Sequence, residues 1–326
     1  MAADTIQEQL VPYLADAHSI EEQAIAQLRA APDIAGEPQL TSALRVHLPE
    51  TEQHERLVRT RLEAHGGSPS KLKEAVMKAG GRGFVLFAQS QPDTPGKLAT
   101  HAYSYEHLEL ASYELLLRVA RRAGDEETVA VAQRIRDEEA AMGGRLEALF
   151  DATAEASLAA KDPDDLTKQI TKYLTDAHAI ETQAEQLLQR APKILDAGGE
   201  LEPIYTEHLE ETREHKRLVE ERLDALGAKP SKLKDAAMRL GALNWGGFFQ
   251  AHPDTAGKLT AFAYAFEHLE IGAYEHLKRS ARQAADQATV DMAERILGEE
   301  RGAAQKLAGS FDAATDVSLR QQGVTG

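Results

Sequence analysis

Residues 47–57 read HLPETEQHERL and residues 208–218 read HLEETREHKRL. Both spell His-x-x-Glu-x-x-x-His, and both continue into Arg-Leu. On an α-helix, steps of three and four residues keep Leu44, His47, Glu50, His54 and Leu57 on one face. Leucines at both ends mark that face as the one to be buried. Histidine and glutamate in its middle need a chemical partner, because an isolated carboxylate is very costly to take out of water.

Much else recurs with this stretch. YLADAHSIEEQA (13–24) returns as YLTDAHAIETQA (173–184), and SPSKLKEAVMK (68–78) as KPSKLKDAAMR (229–239). PDTPGKL (92–98) returns as PDTAGKL (253–259), and YEHLELASYELL (105–116) as FEHLEIGAYEHL (266–277). The offset is 160 residues in the first matched segment and 161 afterwards. That period is far too long for a solenoid repeat, so each half reads as a whole domain. The expected division is a first bundle at 1–155, a linker at 156–165 and a second bundle at 166–326. The linker falls within DATAEASLAAKDPDD (151–165), which ends in a Pro-Asp turn signal.

Each half predicts four long helices. In the first half they lie near 5–30, 38–65, 95–123 and 125–149. Leu10, Leu14, Ala17, Ala24 and Leu28 form the apolar stripe of the first. Pro38 opens the second, Gly66 and Gly67 close it, and Asp93 or Thr94 caps the third. The first-to-second and third-to-fourth links are short, which makes antiparallel hairpins. About 30 residues join the second helix to the third, enough for an end-to-end crossover holding short helices, with Trp245 in the second copy. No alternating apolar pattern suggests a sheet. Two hairpins joined by one long crossover describe an all-α, ferritin-like four-helix bundle, here in tandem.

Every predicted helix carries a carboxylate where its apolar stripe should continue. These are Glu21, Glu50, Glu106, Glu109 and Glu139, repeated as Glu181, Glu211, Glu267, Glu270 and Glu300. Four histidines also recur: His18/His178, His47/His208, His54/His215 and His107/His268. Five carboxylates with one or two imidazoles exceed the needs of one structural zinc and suit two divalent cations. Iron or manganese fits such ligands best, and zinc is compatible. His54 is a nitrogen ligand and His47 a second candidate. His18 and His107 read better as orienting partners or caps. Tyr113 and Tyr274 either hydrogen-bond a ligand or fill the core. A polar network that satisfies itself without metal is the simpler alternative for the whole face. Of the paired Glu138 and Glu139, periodicity favours Glu139 as the inward one. Lys71, Lys73, Lys232 and Lys234 read as a solvated face.

Composition narrows the partners. The chain has 326 residues, no cysteine and a net charge of −16. Disulfides, thiolate sites and cysteine nucleophiles are therefore excluded. The charge argues against nucleic acid as the main partner. No apolar run approaches the roughly 20 residues that span a bilayer. MAADTIQEQL lacks the features of a secretory signal. A cytoplasmic protein is expected.

These segments together resemble the YciF-type ferritin-like family, stress-associated bacterial helical bundles. The resemblance rests on DAxxxE in the first helix, HLxETxxxxRL in the second, EHLExxxYE in the third and the paired glutamates of the fourth. It implies a dimetal bundle with Glu21, Glu50, His54, Glu106, Glu109 and Glu139 as ligands, and Glu181, Glu211, His215, Glu267, Glu270 and Glu300 in the second half. The chain departs from the usual ferritin pattern of Glu-x-x-His on two helices. The second helix has one residue more between Glu and His, and the fourth has no histidine. Pro49, opposite Glu210 in the other half, is expected to kink its helix and re-aim Glu50.

The expected function is that of a di-iron protein, two irons per domain, reacting with dioxygen or peroxide during stress. A non-enzymatic stress or interaction protein with a vestigial polar core is the alternative. A DNA-shielding miniferritin ranks below both on charge. The fused pair is expected to form an intramolecular pseudo-dimer.

Overall fold

The structure, a computed structural model, describes residues 5–69, 94–159, 162–195, 199–231 and 255–324. The expected crossover helices, the cap at Asp93, the four crossover lysines and Trp245 lie outside these residues. Ten α-helices and no strand occur among the described residues. In the first half they are α1 (Ile6–Ala30), α2 (Pro38–Ala64), α3 (Thr94–Ala123), α4 (Glu126–Ala148) and α5 (Phe150–Leu158). In the second half they are α6 (Pro163–Leu188), α7 (Glu202–Ala225), α8 (Thr255–Gln283), α9 (Gln287–Gly309) and α10 (Phe311–Gln321). Residues 1–157, joined by those from Leu319 onward, form one compact unit; residues 158–318 form the other.

Local chemistry places the helix ends. Thr5 and Glu8 cap each other's backbone in a capping box at α1. Pro38 takes the first position of α2, where its missing N–H costs nothing. Asp125 accepts from the Thr128 N–H at the start of α4, and Asp286 does the same for Thr289 at α9. The turn before each of these caps needs a left-handed residue. Gly124 supplies it in the first half (φ 68°), whereas Ala285 takes it in the second (φ 54°).

In the first unit α1 packs on α2 and α3, and α4 packs on α2 and α3, closing a four-membered ring. In the second unit α6, α7, α8 and α9 repeat this arrangement. The first ring is lined by Leu14, Leu44 and Leu116 and the second by their counterparts Leu174, Tyr205 and Leu277, all 2% exposed or less. Between those apolar layers lies a polar one.

Two features differ from the sequence expectation. α2 runs without a break through Pro49. Glu50 and its counterpart Glu211 make the same contact, so the proline does not re-aim the carboxylate. The segment expected to begin the linker is instead helical over Phe150–Leu158. It is tied down by tertiary contacts. Phe150 lies edge-on to Tyr103 at 5.2 Å, and Ser157 Oγ accepts from the Gly96 N–H at 2.9 Å. That bond satisfies a free donor in the first turn of α3. Phe311 with Tyr264, and Ser318 with Gly257, repeat both contacts in the second half.

Candidate metal centre

Each of the four long helices of the first unit delivers an acidic or imidazole group to the polar layer. Glu21 comes from α1, His47 and His54 from α2, Glu106 and Glu109 from α3, and Glu139 from α4. All are buried: Glu21, His47, His54, Glu109 and Glu139 are 0% exposed and Glu106 is 4% exposed.

Glu139 sits between two groups. Its Oε1 lies 2.7 Å from His54 Nδ1, which is 3.9 Å from Glu21 Oε2. Its Oε2 lies 3.3 Å from His47 Nε2, which is 3.2 Å from Glu106 Oε2. Glu21, His54 and Glu139 thus form one metal-competent group, and His47, Glu106 and Glu139 form another. Neither oxygen of Glu139 makes a directed hydrogen bond, and neither does His47 Nε2 or His54 Nδ1. Both oxygens of Glu109 are buried without any hydrogen-bond partner.

The second unit repeats this geometry. His215 Nδ1 lies 2.8 Å from Glu300 Oε1 and 3.7 Å from Glu181. His208 Nε2 lies 2.9 Å from Glu267 and 3.7 Å from Glu300 Oε2. Here Glu270 joins His208, Glu267 and Glu300 in one group. Both Glu270 oxygens are also unpartnered.

Each imidazole shows one nitrogen to the centre and the other to a carboxylate on the rim. His54 Nε2 bonds Glu138 at 2.6 Å, and His215 Nε2 bonds Glu299 at 2.7 Å. His47 Nδ1 bonds Glu50 at 3.0 Å, and His208 Nδ1 bonds Glu211 at 3.1 Å. Such outer carboxylates fix the ring orientation and strengthen the inner nitrogen as a donor. The sequence stripe put both His47 and Glu50 on the buried face, with Glu50 as a ligand and His47 as a second candidate. The structure seats His47 inside and Glu50, with its side chain 35% exposed, on the rim. Periodicity also passed over Glu138 and Glu299. Their recurrence in both halves, each beside an inward glutamate, was the available signal.

The remaining candidates divide. Tyr113 OH donates to Glu21 Oε1, and Tyr274 OH donates to Glu181 Oε1, so both tyrosines bind a carboxylate of the centre. His18 pairs with Glu55 at 2.9 Å, and His178 with Glu220 at 2.9 Å. His107 and His268 each bond a backbone carbonyl one turn earlier, Tyr103 and Tyr264, at 2.7 Å. Burial lowers His107 to about 4, so it is neutral.

Proton affinities follow from crowding charge in a dry layer. Burial, then the Glu139 charge, pushes Glu21 up to about 8 against the pull of His54. Burial raises Glu106 to about 7 against the pull of His47. Burial and three neighbouring carboxylates push Glu109 well above the ordinary range. Burial disfavours the His47 cation, yet Glu106 and Glu139 outweigh it and push His47 up to about 12. His54 is held at about 9 in the same way, against burial, by Glu139 and Glu21. Burial also works to raise Glu139, but His47 and His54 hold it at about 2. In the second unit His208 stands farther from Glu300, and burial leaves Glu300 up at about 7. Near neutral pH, without metal, protons occupy much of each cluster.

This combination of ring topology and buried Glu/His layer defines a ferritin-like bundle with groups able to hold metal ions. Residues 5–159 and 166–319 each match a sequence family described as a domain of unknown function, DUF892. The chain belongs to that family, which is the YciF-like ferritin-like family, and carries it twice in tandem. It is similar to protein XCC3681 from Xanthomonas campestris pv. campestris str. ATCC 33913, whose crystal structure is 26% identical in sequence. That match covers 49% of this chain and 99% of the other, with a TM-score of 0.41. No helix among the described residues is long and apolar enough to cross a membrane.

Proposed function

We propose that each bundle holds a pair of metal ions, iron in the working protein, and reacts with dioxygen or peroxide as a ferroxidase or peroxide scavenger in stress. The observation that carries this reading is the pair of unpartnered Glu109 oxygens at 0% exposure, repeated at Glu270. A buried carboxylate without a hydrogen bond calls for a proton or a cation. Further support comes from Glu139, which offers one oxygen to each of two groups. Its neighbours approach it closely but off the hydrogen-bond axis, as donors sharing a metal do.

The proposed ligands are Glu21, His54, Glu106, Glu109 and Glu139, with Glu181, His215, Glu267, Glu270 and Glu300. His47 and His208 join them from their inner nitrogens. Glu50 and Glu211 reach the centre only by releasing those histidines, which makes them ligands that move in. Mixed carboxylate and imidazole donors without thiolate favour iron or manganese, with zinc as a competitor. Bound iron supplies the electrons that reduce the oxidant. The chain's own part is to fix geometry and hold protons. Tyr113 holds Glu21 in one orientation, and Glu138 holds the His54 ring. Glu21 and Glu106, with affinities near neutral pH, give up protons to admit the cations.

The same reading places the protein in a reducing cytoplasm, consistent with the absence of cysteine, and treats the fused bundles, 1–155 and 166–326, as an intramolecular pseudo-dimer. Elemental analysis of protein purified without chelator tests the centre. About four iron or manganese atoms per chain are expected, two per bundle. The Glu139→Ala/Glu300→Ala variant should bind almost none. No metal after anaerobic Fe²⁺ loading overturns the proposal and leaves a polar-cored scaffold. A single compact pair in solution scattering is expected for the pseudo-dimer, and a hollow multimeric particle would overturn that part.

A further inference from the structure

A second kind of metal-competent group stands apart from the centre, between α1 and α2 of the first bundle. One donor atom each from His18, Glu22 and Glu55 lies within 4.8 Å of the other two. His18 and Glu22 are four residues apart on α1 and so share a face. Glu55 reaches them from α2, with its Oε1 2.9 Å from His18 Nε2. His18 is 2% exposed and Glu55 7% exposed. Glu22 is half-buried and opens the group to solvent. None of the three is among the ligands proposed for the centre.

Two carboxylates brought this close repel each other, and burial deepens the cost, so the group favours a cation. Arg59 answers part of that charge, with its Nε 3.5 Å from Glu55 Oε1. Its side chain is 45% exposed and can turn into solvent when a cation arrives. The imidazole adds a separate sign. His18 Nδ1 is buried and makes no hydrogen bond, so the ring has donor or acceptor capacity that no protein group uses.

The second bundle provides the contrast. His178 remains, but Thr182 stands for Glu22 and Lys216 for Glu55. Lys216 pairs with Glu185, and His178 pairs with Glu220, which stands for Arg59. An ammonium group thus replaces one carboxylate, and a hydroxyl the other. No metal-competent group forms around His178 among the described residues. α6 and α7 still pack as α1 and α2 do, so the fold does not require the triad.

We propose that His18, Glu22 and Glu55 hold one zinc-type divalent cation, in the first bundle alone, with a fourth position open to water. Zinc accepts imidazole and carboxylate donors together, and its tetrahedral donors stand roughly 3.4 Å apart. Small rotations of the two glutamate side chains close the triad to that spacing. The ion links α1 to α2. With three protein ligands and an open side it exchanges with solvent and is lost on purification, so it adds nothing to the four metals expected in the centres. The site does not depend on the dimetal reading.

The test uses the full chain. Crystals soaked in Zn²⁺ and measured at the zinc absorption edge should show an anomalous peak among His18, Glu22 and Glu55, and none beside His178. Equilibrium dialysis against Zn²⁺ should find one ion fewer per chain in a Glu22→Gln/Glu55→Gln variant than in wild type. Glu22→Gln alone, which leaves the His18–Glu55 pair in place, should lose the same ion. No peak at His18, or an unchanged count in solution, would overturn the proposal. An equal peak beside His178 would overturn its restriction to one bundle. Peaks present or absent at Glu139 and Glu300 bear on the dimetal reading instead, so the two failures are distinguishable.

Discussion

His54 stands 2.7 Å from Glu139 and His215 stands 2.8 Å from Glu300, so the two bundles agree closely at their centres. Toward the surface they part. His18 pairs with Glu55, but the second bundle has Lys216 at that position and pairs His178 with Glu220, one turn further along. Gln27, His101 and Tyr105 of the first bundle are matched by Leu187, Phe262 and Phe266 in the second. The turn before the fourth helix uses Gly124 in one and Ala285 in the other. A pair on the outside can be rebuilt from new residues one turn away. The inner groups have no such freedom, because each must reach one shared point from its own helix.

The largest effect expected is on the pH dependence of the metal-free protein. A carboxyl raised on folding stabilises the fold below its unfolded value, near 4.5, and loses that contribution as pH rises through its folded value. Glu21 and Glu181 at about 8, with Glu106 and Glu300 at about 7, set the window. Thermal unfolding of metal-free protein should therefore move to lower temperature between pH 5 and 8, and saturating Mn²⁺ should restore it. Each bundle carries three raised carboxyls, Glu21, Glu106 and Glu109 in the first and Glu181, Glu270 and Glu300 in the second. Calorimetry at pH 6 in two buffers should therefore find similar proton release by Zn²⁺ from a His54→Ala/Glu139→Ala chain and a His215→Ala/Glu300→Ala chain. Unequal release would break the match between the two centres.

A second test replaces a proposed ligand by an apolar residue. Glu109→Leu should stabilise the metal-free protein by about 1–4 kcal/mol, since it removes a buried unpartnered carboxyl. Glu270→Leu should do the same, and each should cost its own bundle metal. Unequal gains in chemical denaturation would show that the two centres are less alike than their distances suggest.

A smaller difference is expected from the outer pairs. His18→Ala leaves Glu55 with its side chain 9% exposed, whereas His178→Ala leaves Glu220 at 47%. The first should cost about 1–2 kcal/mol more than the second, because only Glu55 is stranded away from water. Arg59, 3.5 Å from Glu55, limits the gap. The smallest effect belongs to the turns. Ala285→Gly should stabilise, and Gly124→Ala destabilise, by about 1 kcal/mol each, measured as shifts in the unfolding midpoint.

The helices were legible because caps and stripes are local signals. Pro38, Asp125 and the Leu10–Leu28 stripe place their helices to within a residue or two of the structure. The centre was legible as carboxylates in a leucine register, which is how Glu21, His54, Glu106, Glu109 and Glu139 came to be named. The exchange of His47 and Glu50 was not. Both lie on one face, three residues apart, and which of them reaches inward depends on the helices packed opposite. Glu138 lies about 100° around the helix from Glu139. It meets His54 by the length of its side chain, which periodicity does not describe. The fifth helix escaped because its nine residues carry little stripe. Phe150 and Ser157 hold it through contacts far along the chain.

Glu139, with one oxygen turned to each group, has a further consequence. If the two groups take a cation each, as proposed, the first would fix the rotamer of the shared carboxylate and displace protons from its neighbours, leaving a prepared seat for the second. Binding at the two positions would then be positively cooperative and, by linkage, equally so in both directions. Each bundle should fill as a unit, with half-filled centres scarce at every metal concentration.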